Sequence, residues 1–287
     1  MIYLLLSILA STFIFLIFKL FDRFKVNTLQ AIVFNYIVAC LCGIVTYCKP
    51  IDITEITQEK WFFGAIALGF LFIFIFNVMA ITAQQNGISV ASVATKMSVI
   101  IPVFFGIYMY GESTGIQKII GILLALLAVY FVSIKPNSNI HLKNSILLPF
   151  ILFLGSGIID TSIKYLETTY VSENGIPIFS ATIFCFAACI GLCILLYKTL
   201  KKEFKFNPQS LIGGTVLGIV NYVSIYYILK ALDNDSIESS TIFTVNNVAI
   251  VMLSSLVGLI LFKEKLSIKN WIGVSFAIIS ILLVTLS

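Results

Sequence analysis

One lysine stands where this chain can least easily hold a charge. Lys96 lies in SVATKMSVIIP, near the middle of an apolar run over residues 88–110. A cation at the centre of a membrane-spanning helix costs about 2.5–3.5 kcal/mol on insertion scales, so it must face a cavity or a partner. Two chemistries fit. Lys96 holds an anionic substrate group or takes part in ion coupling, or it forms a structural ion pair with Asp160. Ser92 and Thr95 widen the same polar face, and Pro102 removes an amide and frees a carbonyl, which bends a helix around a cavity. At the equivalent place in the second half of the chain stand Asn246 and Asn247, with Thr244 nearby. A cationic wall opposite an amide wall suits a substrate with an anionic group and hydrogen-bonding atoms.

Asp160 and Lys164, in GIIDTSIKY, are four residues apart and so share a helix face. If buried, they form a charge-compensated pair whose acid gains affinity for protons when its cation moves away, as proton coupling requires. If exposed, they are an interfacial salt bridge. Asn77, Asn221 and Tyr222 bring amide and phenol groups into other apolar runs, either lining a cavity or bonding helix to helix. Glu112 and Glu264 stand at the ends of runs and read as structural, tying a helix end to a basic neighbour. Lys19, near the end of the first run, has no acid four residues back and reads as snorkelling to the headgroups.

Metal and nucleophilic chemistry are poorly supplied. Of the six cysteines, Cys40, Cys42 and Cys48 share one run and Cys185, Cys189 and Cys193 another, none with CxxC spacing. The second trio lies on one helix face, but small apolar packing is its expected role. The single histidine, His141, lies in a link. No metal site, cofactor or catalytic residue is expected, and the chain is not read as an enzyme.

The elements that must position these residues follow from composition. The chain has 287 residues, of which 60% are apolar and 11% charged, with a mean hydropathy of +1.07. That excludes a water-soluble globular domain and indicates an all-α polytopic membrane protein. Apolar runs lie near 2–21, 28–48, 61–83, 88–110, 116–134, 145–166, 176–198, 209–232, 237–262 and 270–286. At about 20 residues each, ten spans consume about 200 residues and leave no room for a large soluble domain. Alternating strand-like apolarity is absent, which excludes a β-barrel. The first run starts at residue 2 without a basic leader and reads as a retained span. Trp61 and Trp271 each open a run, as interfacial anchors do. The net charge of +5 sits at run ends, where lipid headgroups rather than nucleic acid are the partners.

The chain also resembles itself. Gly111-Glu112, followed by Gly121, is matched by Lys263-Glu264, followed by Gly273, at an offset of 152; Ser11 and Lys19 match Ser156 and Lys164 at 145; Gly64 and Gly69 match Gly213 and Gly218 at 149. Three matches in chain order indicate two five-span copies, residues 1–136 and 145–287. Five is odd, so the second copy inserts upside down, and inverted repeats mark alternating-access carriers with a midplane site.

The stretch SVIIPVFFGIYMYGESTGIQKIIG, residues 98–121, resembles the junction of the fourth and fifth helices in EamA-type transporters of the drug/metabolite transporter superfamily. LILFKEKLSIKNWIG answers in the second half, with Lys263 in place of the glycine and no proline in the ninth span, which predicts a straighter helix there. The resemblance implies a secondary carrier, an exporter, of a small metabolite in a bacterial inner membrane, with a path walled by helices 1, 3, 4, 6, 8 and 9. It implies a small-molecule substrate, membrane lipids and proton or sodium coupling as partners, and leaves the substrate open. A membrane-embedded enzyme and a non-transporting receptor or scaffold are the alternatives. Both termini are expected on one side. The positive-inside count places them outside and the resemblance inside.

Overall fold

The computed structural model describes residues 2–47, 53–110, 115–133, 142–171, 175–203, 205–232 and 239–285, and every regular element among them is helical. The helices are α1 (Ile2–Arg23), α2 (Thr28–Thr46), the short α3 (Ile53–Gln58), α4 (Phe62–Gln85), α5 (Ile88–Met97), α6 (Ile100–Tyr110), α7 (Ile116–Ser133), α8 (Leu142–Tyr170), α9 (Ile176–Leu200), α10 (Pro208–Leu232), α11 (Ser239–Phe262) and α12 (Ile268–Thr285). A helix satisfies its own backbone, which lipid cannot do. Eight stretches are long and apolar enough to cross a membrane, one of them running through α5 into α6, and the apolar cores of α7 and α12 are shorter. Large apolar side chains such as Phe63, Leu196 and Ile260 point outward and are 78%, 63% and 72% exposed, a surface suited to lipid rather than water. The chain is an integral membrane protein.

The fourth expected span is broken in two. Between α5 and α6, Ile101 donates to the carbonyl of Ser98 at 2.9 Å, a tightened turn, and Ser98 Oγ donates to the Thr95 carbonyl at 2.5 Å. Pro102 lacks the amide that would otherwise bond back to Ser98, so the break falls where the ring removes a donor. Its counterpart α11 has no proline and runs without interruption.

Helix α11 ends at a lysine in a glycine position. Lys263 has φ 51°, and the Glu264 amide donates back to the Gly258 carbonyl at 3.0 Å, one residue further back than the closing bond of the usual left-handed helix terminus. A side chain there costs about 1–2 kcal/mol that glycine does not incur. Lys263→Gly should therefore raise the apparent melting temperature by a few degrees; an unchanged or lower value would show that the lysine makes a compensating contact.

The chain divides into two compact units, each drawn from both halves of the sequence. Unit 1 comprises Met1–Leu20, Val78–Ile158 and Val223–Ser287, and unit 2 comprises Phe21–Asn77 and Ile159–Tyr222.

In unit 1, α7 packs along α12 and α5 against α11. Ile122, Ala125, Val129 and Val132 of α7 belong to one buried cluster with Val274, Ala277, Ile281 and Val284 of α12, each residue 152 positions from its mate. A Cβ built on Gly121 would lie 2.6 Å from Val284, and one on Gly273 would lie 2.5 Å from Val132.

In unit 2, α2 packs along α9. A Cβ on Gly43 would lie 3.0 Å from Ala181, and one on Gly191 would lie 2.5 Å from Val33, both pairs related by 148 positions. Gly69 approaches Ala187 and Gly218 approaches Val38, related by 149. Tyr36 is fully buried, donates to the Phe72 carbonyl at 2.8 Å and packs among Phe72, Phe76 and Phe184. Trp61 departs from the expected interfacial role. It is 3% exposed and packs edge-on against Phe179, whereas Trp271 is 45% exposed. An indole at the start of a helix anchors in the headgroups only if no neighbouring helix covers it.

Candidate functional site

In unit 1 the polar residues form a seam along α5 and α11, tied off at one end. There the Glu264 carboxylate accepts from the Ile88 amide at 2.8 Å and from Ser89 Oγ at 3.4 Å, satisfying donors that the first turn of α5 leaves open. Lys19 Nζ stands 3.9 Å from the same carboxylate and donates to the last carbonyls of α4, Ala83 at 3.1 Å and Gln84 at 2.8 Å. Gln84 Nε2 donates back to the Phe18 carbonyl at 3.1 Å. Four helix ends, those of α1, α4, α5 and α11, meet at one ion pair. This corrects the snorkelling role expected of Lys19: internal carbonyls and a carboxylate lie within its reach, so it stays inside. Two glycines leave room for the carboxylate, since a Cβ on Gly87, at φ 110°, would lie 2.9 Å from it and one on Gly258 2.5 Å.

Further along the seam, Ser254 Oγ donates to Ser92 Oγ at 2.6 Å, both side chains fully buried. With Gly258 beside Ser89 and Ser254 on Ser92, α5 and α11 run antiparallel in a fixed register. Ser89, Ser92 and Lys96 share one face of α5, and Gly258, Ser254 and Asn247 share one face of α11, because these spacings are whole numbers of helical turns. The next turn beyond the serine pair therefore carries Lys96 on one helix, and Asn247 lies about one turn further along the other. Lys96, Thr95 and Asn247 are half-buried and Ser92 and Asn246 buried. Ser7 Oγ of α1 bonds Asn246 Oδ1 at 3.3 Å and the Ser224 carbonyl at 3.1 Å, bringing α1 and α10 to the same level. Thr244 lies in α11, but its side chain is outside the described residues, as are Glu112 and His141.

The other candidates lie in unit 2. Asn77 donates to the Ile73 carbonyl of its own helix at 2.7 Å. Asn221 Nδ2 donates to Asn35 Oδ1 at 3.4 Å, and the Tyr222 and Thr46 hydroxyls are hydrogen-bonded to each other, so these two residues join α10 to α2. Asn35 Nδ2 is buried without a partner among the described residues. Asp160 and Lys164 are both exposed on α8.

Sequence reasoning missed Ser7, Asn35 and Ser254. The spacing of Asn247, Ser254 and Gly258 on one face was a readable signal for the last. Ser7 and Asn35 had none, because a lone serine or asparagine in an apolar run is ordinary.

Comparisons with known proteins agree with this architecture. A protein of Haemophilus influenzae, described as uncharacterized, is 28% identical over 96% of this chain and 94% of its own length. A protein crystal structure superposes with a TM-score of 0.58 at 14% identity, covering 98% of this chain and 97% of that one, which shows a shared fold. Residues 1–134 match the model of the EamA-like transporter family. That span holds Lys96, Lys19 and the broken fourth helix, and over it the chain is similar to the EamA-like transporter family.

Proposed function

We propose that the protein is a secondary carrier that exports a small anionic metabolite by alternating access, from ten spans arranged as two inverted five-helix halves. The duplication is supported by the reciprocal contacts. Gly121 meets Val284 as Gly273 meets Val132, and Gly43 meets Ala181 as Gly191 meets Val33. A contact that recurs with partners exchanged, at the offset of the repeat, is what a pseudo-twofold between two copies produces.

The observation that carries the functional reading is the register fixed by Ser92 and Ser254, which leads Lys96 and Asn247 onto facing surfaces of α5 and α11. A half-buried ammonium near amides and hydroxyls favours a carboxylate or phosphate monoester with further hydrogen-bonding atoms. Transport rather than catalysis fits a site in which the Ser92 and Ser254 hydroxyls bond to each other, in a chain whose first half matches a transporter family. A bacterial inner membrane is the location we favour, in keeping with the Haemophilus relative.

Coupling to protons through Asp160 and Lys164, both exposed on α8 here, is part of the proposal and requires the other state of the carrier to bury the pair; exposed in both states, it is an interfacial salt bridge. Asp160→Asn preserves volume but cannot exchange a proton, so it should leave substrate affinity unchanged and remove most of the accumulation driven by a pH gradient in proteoliposomes. Wild-type pH dependence in that variant would reduce the pair to a surface salt bridge.

A further inference from the structure

We propose that unit 2 carries a binding site for one anionic phospholipid, with the phosphate on lysines at the end of α9 and an acyl chain in the groove below them. The groove, about 430 Å³, is lined by Phe70, Cys189, Ile190, Cys193, Ile194 and Tyr197. Five of the six lie on one face of α9 and include two of its three cysteines, Cys189 and Cys193. Small thiols leave a channel where leucines would fill it.

The groove leads directly to charge. Lys201 Nζ stands 4.7 Å from the centroid of the Tyr197 ring, the last lining residue. Lys198, Lys202 and Lys205 are exposed beside it. A second link reinforces the patch. Gln30 Nε2 donates to the Lys205 carbonyl at 2.8 Å, and Asn207 Nδ2 donates to the Lys25 carbonyl at 2.9 Å. These bonds draw the turn after α1 against the turn after α9, although they are some 180 residues apart in sequence. Arg23 and Lys25 thereby join the four lysines, and among the described residues at these two helix ends Asp22 and Glu203 offset them.

Cations at a span end are ordinary interfacial residues. What distinguishes this set is the pairing of a basic cluster with an apolar groove that ends under one of its ammonium groups, a shape matched by a diacyl lipid and not by a soluble anion. Charge complementarity selects an anionic headgroup, since a lysine near a membrane surface contributes about a fivefold gain in affinity.

Native mass spectrometry of the full detergent-purified chain, titrated with dioleoylphosphatidylglycerol or dioleoylphosphatidylcholine, tests the site. The first phosphatidylglycerol should bind at least tenfold more tightly than the first phosphatidylcholine, and 500 mM salt should erase the difference. Lys198→Gln with Lys201→Gln should bring the two lipids to parity without changing the melting temperature in lipid-free detergent, and Cys193→Phe should weaken both lipids by filling the groove. Equal affinities in the wild type, a preference that survives the double lysine change, or unchanged binding to Cys193→Phe would overturn the proposal. So would displacement of phosphatidylglycerol by glycerol 3-phosphate, which would make the patch a soluble-anion site.

Discussion

Glu264→Leu should lower the apparent melting temperature more than any other single change at a charged residue. The substitution leaves the Lys19 ammonium, whose side chain is 20% exposed, bonded to two carbonyls but without its counter-charge, and removes the acceptor of the Ile88 amide. Breaking one side of a largely buried pair costs about 3–5 kcal/mol, because the surviving charge keeps its desolvation penalty. Glu264→Gln keeps an acceptor for Ile88 and should cost less, about 1.5–3 kcal/mol for the lost charge. Gly258→Ala offers an independent route to the same effect, since its Cβ would lie 2.5 Å from a carboxylate oxygen and push it off the helix terminus. Lys19→Met combined with Glu264→Leu should recover part of the loss, because neither charge is then left alone. Melting curves of these variants in one detergent check the set. If Glu264→Leu melts with the wild type, the four helix ends are not held by this carboxylate.

The largest effect on binding is expected at Lys96. Removing one member of a desolvated, hydrogen-bonded charge pair costs about 2–5 kcal/mol, so Lys96→Met should weaken an anionic ligand about 30-fold or more. The same change removes a costly cation from the middle of a span and should leave stability equal or slightly higher. A purely structural pairing with Asp160 predicts the opposite sign: Lys96→Met would lower the melting temperature and a second change, Asp160→Asn, would restore it. Melting temperatures of the two single variants and the double variant, with and without ligand, separate these outcomes.

Periodicity made the helices legible, because lipid leaves a long apolar run few other ways to satisfy its backbone. The break in the fourth span was legible at Pro102, a residue that cannot donate, and the continuity of α11 in its lack of one. Of the offsets read from glycines and charges, 149 and 152 recur in the helix contacts, while the offset of 148 emerged only from Gly43 and Gly191, which no neighbouring motif marks. Side-chain partners were less accessible. Lys19 looked like a headgroup lysine since its nearest sequence neighbours are apolar, and its carboxylate lies 245 residues away. Trp61 looked like an anchor, and Phe179 buries it. Asn221 and Tyr222 were balanced between cavity and interhelical bonding until Asn35 and Thr46 supplied partners that spacing could not reveal.

The central claim is that Lys96 serves an anionic substrate in a carrier, and flux tests it most directly. Carboxylates and phosphate monoesters that raise the melting temperature of the purified wild type should be loaded as radiolabelled compounds into proteoliposomes of wild type and Lys96→Met. The account predicts at least one such compound that exchanges across the wild-type membrane and not across the variant, while both proteins melt alike without ligand. A stable Lys96→Met protein that transports that compound at the wild-type rate would contradict it.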